Sequence, residues 1–154
     1  MMINKTFLHK ALLILIALFF NYNLKAQQMQ NIENIYKDNL TKETWITDFI
    51  LGLDLETEKY MLTKYVERKF AGNLTSFTDE ANYESKYVAP CGNDNFTAVN
   101  GKYEFLDENR LKISVDSVSY WGEWDKPNEY RKQNEIIYLI TEEGNKIILT
   151  KDIE

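Results

Sequence analysis

Tyr120, Trp121 and Trp124 crowd around Gly122 at the end of an apolar run, with Glu123 and Asp125 interleaved and Pro127 following. Aromatic rings of this kind pair a large apolar face with a polar tip, so the cluster could stack a sugar or line a barrel mouth. It could equally plug a barrel end as core. Tyr103 and Phe105, which share one face of an earlier strand, complete the candidate ligand-binding set. A different chemistry is offered by Cys91, the lone cysteine, in the turn-rich stretch YVAPCGNDNFTAVNGKYEF. It has no partner for a disulfide within the chain. Nothing near it is positive enough to lower its pKa, the closest cation upstream being Lys86. Cys91 therefore reads as a small part-buried residue, with a free redox thiol or an intermolecular bridge as the alternative.

Asn93, Asp94 and Asn95 supply oxygens that calcium accepts, but no bidentate carboxylate follows at the spacing such a loop needs, and an Asx-rich turn is the simpler reading. His9 is the only histidine, and it lies in a segment expected to be removed. A chain without imidazole and with one thiol cannot build a Ser-His-Asp triad, a Cys-His pair or a His-bearing zinc site. Carboxylate chemistry remains open. Yet the acids sit at turns and on polar strand faces, and no pair has the apolar surroundings that raise a catalytic carboxyl. The expectation is a protein that is not an enzyme, with no catalytic residue, metal or cofactor.

The address is written at the N-terminus. Lys5, His9 and Lys10 form a basic region, Ala11 to Phe20 an uninterrupted apolar one, and Leu24-Lys25-Ala26 ends on a small residue before Gln27. That is the layout of a secretory signal peptide cleaved near Ala26, and the apolar run is well short of the roughly 20 residues a spanning helix needs. The expected product is secreted or periplasmic, with residues 1–26 as signal peptide, 27–154 as one domain, and no transmembrane segment after cleavage. The formal charge is −6 over the whole chain, and removal of the basic region leaves it more negative. No basic stripe survives to neutralise phosphates, so nucleic acid is not an expected partner. The Asn-x-Thr tripeptides at Asn39, Asn73 and Asn95 are glycosylation acceptors in a host that glycosylates exported chains.

These side chains need elements to position them. Met29, Ile32, Ile35, Tyr36 and Leu40 recur at helical spacing, and a second helix is suggested where Thr41 caps a stripe of Trp45, Ile46, Phe49, Ile50 and Leu53. Residues 59–70 fit a strand or a helix, with aromatic and β-branched content favouring a strand. Beyond Asn73 short apolar runs alternate with turn compositions such as Asp79-Glu80, Asn100-Gly101, Asp107-Glu108-Asn109 and Glu143-Gly144-Asn145. Asn100-Gly101 predicts a type I′ hairpin joining FTAV to KYEFL. In the next strand Leu111, Ile113 and Val115 share one face while Val118 and Tyr120 fall on the other, which predicts a bulge near Asp116-Ser117. About eight strands result, the number at which an up-and-down sheet closes into a small barrel.

The run from Phe70 to Tyr120, above all the Gly101-Lys102-Tyr103 triplet and the Leu111-x-Ile113-x-Val115 strand, resembles the central part of lipocalin-like β-barrel domains of small exported bacterial proteins. Lipocalins proper open with a Gly-x-Trp motif on their first strand, which this chain lacks there: Trp45 follows Lys42-Glu43-Thr44, and Gly122-Glu123-Trp124 comes far too late. The resemblance implies a mainly β fold: an antiparallel up-and-down meander closed as a lipocalin-like barrel, with one or two short N-terminal helices. An α+β cone with a curled sheet is the alternative should residues 59–70 be helical. It also implies a non-enzymatic binding role, toward a small apolar ligand held in the barrel or toward another exported protein, the barrel then being filled.

Overall fold

The computed structural model describes residues 36–66, 71–90 and 94–153. The signal-peptide expectation, the first turns of the expected N-terminal helix, Cys91 and Asn93 lie outside these residues. Residues 36–41 are helical and lead into eight strands: β1 (Thr44–Thr47), β2 (Lys59–Lys64), β3 (Gly72–Phe77), β4 (Asn82–Val88), β5 (Asn95–Phe105), β6 (Arg110–Gly122), β7 (Glu129–Glu143) and β8 (Lys146–Lys151). All pair antiparallel in one closed barrel, so the chain is mainly β and no sheet edge is left open. Residues 59–64 are strand, which removes the cone alternative.

From β3 to β8 the barrel is an up-and-down meander. Closure is not sequential, because β1 sits between β2 and β3 while β2 pairs β8. The second expected helix is not formed: Trp45 and Ile46 belong to β1, and Phe49 to Leu53 to the turns after it. Of that stripe only Trp45 is buried while Phe49 is 58 % exposed, and the loop buries Leu51 instead, so the helical spacing did not mark one buried face.

The expected hairpin at Asn100-Gly101 is also corrected. Both residues lie inside β5, at a register shift against β6. Gly101 is needed there for closeness rather than for a turn, since a Cβ would stand 2.1 Å from the Ser114 carbonyl oxygen. The predicted bulge in β6 is present, with the register against β7 shifting between Val115 and Ser117. It keeps Leu111, Ile113, Val115 and Val118 all inside, each at most 1 % exposed. Burial of such side chains contributes about 2 kcal/mol apiece.

Both ends of the barrel are stoppered. At one, Leu40 of the helix is fully buried, and the Trp45 indole Nε1 donates to its carbonyl over 3.1 Å. At the other, the loop between β1 and β2 folds back into the barrel, with Leu51 fully buried. Its backbone polar groups are satisfied by side chains, as buried backbone must be. Leu51 N–H donates to Ser85 Oγ (2.8 Å), which belongs to a buried hydroxyl chain with Thr75 (2.7 Å) and Thr47 (3.3 Å from Thr75). Gly52 N–H donates to Tyr60 Oη (3.3 Å), and Arg131 donates to the carbonyls of Gly52 (3.3 Å) and Leu53 (2.7 Å).

Candidate functional site

The structure divides the sequence-predicted aromatic set between the two ends. Tyr103 pairs with Ile113 and Tyr120 with Thr97 on the same β5–β6 ladder, so the two tyrosines stand about 20 Å apart along the strands. Tyr103 and Phe105 lie at the helix-stoppered end. Tyr103 is buried, packs edge-on against Phe77 (5.3 Å) and Phe105 (5.9 Å), and donates its hydroxyl to the Thr78 carbonyl over 2.6 Å. Tyr103 belongs to the buried core and Phe105 is partly buried against it.

Tyr120, Trp121 and Trp124 form a rim at the loop end. Strand alternation turns Tyr120 and Trp121 to opposite faces of β6. Trp121 stacks nearly parallel on Phe96 at 5.7 Å, and Phe96 in turn contacts Tyr87 at 6.1 Å. Trp124 meets Tyr120 edge-on at 5.7 Å. Trp121 and Trp124 remain 44 % and 42 % exposed, so each indole is fixed by one backing ring and open to solvent elsewhere.

A charged network underpins the rim. The Tyr120 hydroxyl donates to Glu129 Oε1 (2.8 Å), while Lys126 Nζ donates to the Tyr120 oxygen (2.9 Å) and rides 4.2 Å from the centre of its ring. Glu129 also forms a two-bond pair with Arg131 through Oε2, at 3.0 and 2.8 Å. Hydrogen bonds from Lys126, then from Arg131 and Tyr120, lower the Glu129 carboxyl to about 2. The Lys126 ammonium is correspondingly raised, first by Glu129 and then by Tyr120. Arg131 thus joins the rim to the inserted loop.

Tyr130 was not singled out by the sequence, because its surroundings from Glu129 to Lys132 are too polar to mark a strand. It stands on β7, opposite Ser117 of β6, and is 85 % exposed. An aromatic ring inside a polar stretch was the signal available. Asp94 is spent on its own turn: its carboxylate accepts from the Asn95 N–H (2.8 Å) and the Tyr87 hydroxyl (3.0 Å). Among the described residues no group of three His, Cys, Asp or Glu side chains could hold a metal ion.

Two further features are chemical in type. An open groove of about 390 Å³ lies between Leu55 and Glu56 of the inserted loop, Asn134 to Ile137 of β7, and Lys151 and Asp152. Its most prominent donor is engaged, since Lys151 Nζ donates to the Leu55 carbonyl over 3.0 Å. Inside the barrel, the hydroxyls of Tyr83 and Tyr138 are buried without a hydrogen-bond partner. Burial, with the Tyr60 phenol adding to it, pushes both well above the usual phenol range, so they are neutral donors. Compared with protein-family models, with curated proteins and with solved structures, the chain matches none.

Proposed function

We propose that this chain is an exported, non-enzymatic binding module whose barrel is filled and whose working surface is the aromatic rim at the loop end. The observation that carries the reading is the seat of Gly52 inside the barrel. A Cβ there would lie 2.7 Å from Tyr83 Oη and 2.8 Å from Val115 Cγ2. A site that leaves no room for a methyl group is far from the 300 Å³ or more that small-molecule pockets typically offer. The half-exposed indoles Trp121 and Trp124 are the residue type that anchors interfaces. Export is supported by the basic, apolar and small-residue succession that ends at Ala26.

A second reading, lipocalin-like carriage of a small apolar ligand inside the barrel, is favoured by the unpartnered hydroxyls of Tyr83 and Tyr138, which would donate to a ligand acceptor. Titration of the mature chain, identified by a mass beginning at Gln27, with the apolar dye 1-N-phenylnaphthylamine separates the two. The filled barrel gives no saturable rise in fluorescence. Saturable one-site uptake that Trp124→Ala leaves unchanged would replace it with the carriage reading.

A further inference from the structure

Aromatic rings and charges stand together at two places on the rim, and only at one of them do they satisfy one another within the molecule. In the first, the Lys126 ammonium lies over the Tyr120 ring and against the Glu129 carboxylate, so ring, cation and anion satisfy one another. In the second, Trp121 and Trp124 carry half-exposed indoles, and Glu123 and Asp125 flank Trp124 in the chain. Neither acid makes a hydrogen bond or ion pair among the described residues, and both side chains are exposed. Consecutive Cα atoms are about 3.8 Å apart, so both carboxylates are within side-chain reach of anything seated on Trp124.

The complement of that arrangement is a cation. Indole is the strongest of the aromatic faces for holding an ammonium or guanidinium, and two unpaired carboxylates beside it supply the counter-charge. The excess of 24 acidic over 18 basic residues attracts a positive partner and repels a negative one. We propose that the Trp121–Asp125 segment docks a lysine or arginine side chain presented by a partner protein. The proposal rests on the surface-acting reading above and names the chemistry of its partner.

Calorimetric titration of the mature chain with a deca-arginine peptide tests it. The expected result is saturable binding that weakens steeply from about 0.1 M to about 1 M NaCl, as the Debye length shrinks from about 10 Å to about 3 Å. Trp124→Ala, which changes no charge, is expected to weaken binding about tenfold, as is the pair Glu123→Gln with Asp125→Asn. The pair Glu80→Gln with Glu108→Gln removes the same charge from exposed turns at the far end and is expected to change affinity less than twofold. Equal weakening by the near and far pairs, with none from Trp124→Ala, would overturn the proposal in favour of attraction to the whole acidic surface. Absence of peptide binding would overturn it, as would binding of uncharged cellohexaose at Trp124 in place of the peptide. Either outcome leaves the surface-acting reading standing, because that reading falls only to saturable dye uptake by the interior. Circular dichroism of each variant separates loss of the site from loss of the fold.

Discussion

Both ends of the barrel carry aromatic clusters, and they differ in what their polar tips find. At the helix-stoppered end the Trp45 indole and the Tyr103 hydroxyl each donate to a backbone carbonyl, of Leu40 and Thr78, and both residues are buried. At the loop end the Tyr120 hydroxyl meets Glu129 and Lys126, and the Trp121 and Trp124 indoles face solvent. An aromatic whose tip is tied to backbone has been built into the fold. Tyr120 is closed by its own charged partners, and only the solvent-facing indoles of Trp121 and Trp124 are available to something else. Aromatic content alone therefore does not mark a site, and sorting the rings by hydrogen-bond partner separates core from candidate surface.

Truncation is the largest test of that contrast. Tyr103→Ala removes a buried ring wedged between Phe77 and Phe105 and is expected to cost about 3–5 kcal/mol. Trp124→Ala, at a half-exposed position, should cost less than about 1 kcal/mol. Urea denaturation of both variants is the measurement. Comparable losses would mean that the rim is core and the distinction between the ends is void.

The inserted loop supplies a second, smaller contrast. Gly52 has φ +80° and would press a Cβ into Tyr83 and Val115, whereas Gly144, with φ +66°, has nothing within 4 Å. Both alanine substitutions incur left-handed strain of about 1–2 kcal/mol. Only Gly52→Ala adds overpacking, for about 2–5 kcal/mol in all. Equal shifts in the denaturation midpoint would show that the loop is not seated inside the barrel.

How much of this was legible follows from where each signal lives. The β6 bulge was visible because parity is a local property: Leu111, Ile113 and Val115 count in one phase and Val118 and Tyr120 in the other. Asn100-Gly101 misled because the same dipeptide serves a hairpin turn and a close approach, and Ser114, whose carbonyl decides between them, lies on another strand. Merging two expected strands into β5 and gaining β1 left the count of eight unchanged for compensating reasons. Placement of β1 between β2 and β3 depends on pairing between distant segments, which no window of residues contains. For the rim, residue types picked out Tyr120, Trp121 and Trp124, but alternation also grouped Tyr103 and Phe105 with them. Face is readable from parity. Height along the barrel follows only once the register is known.

The pH dependence of stability distinguishes the interior from the rim at opposite ends of the scale. Inside, Tyr83 and Tyr138 are raised above the ordinary phenol value of about 10. Their contribution is full below pH about 10 and is lost above it, because the unfolded chain releases protons that the fold retains, at up to about 1.4 kcal/mol per pH unit for each. At the rim the sign reverses. Glu129 is lowered to about 2, so its contribution is full above the unfolded carboxyl value of about 4.5 and fades as pH falls toward 2. Glu129 is a third exposed, so its effect on global stability is small. Its reach comes from Arg131, which spans Glu129 and the carbonyls of Gly52 and Leu53. Protonation weakens one side of that bridge, and amide exchange in the inserted loop is expected to quicken between pH about 4.5 and about 2, after correction for intrinsic rates, while strand amides stay protected. Glu129→Gln should bring the faster exchange to neutral pH and remove the acid step. A loop that exchanges at the wild-type rate in that variant would mean that Arg131 holds the loop without help from the rim, and the two surfaces would then be mechanically independent.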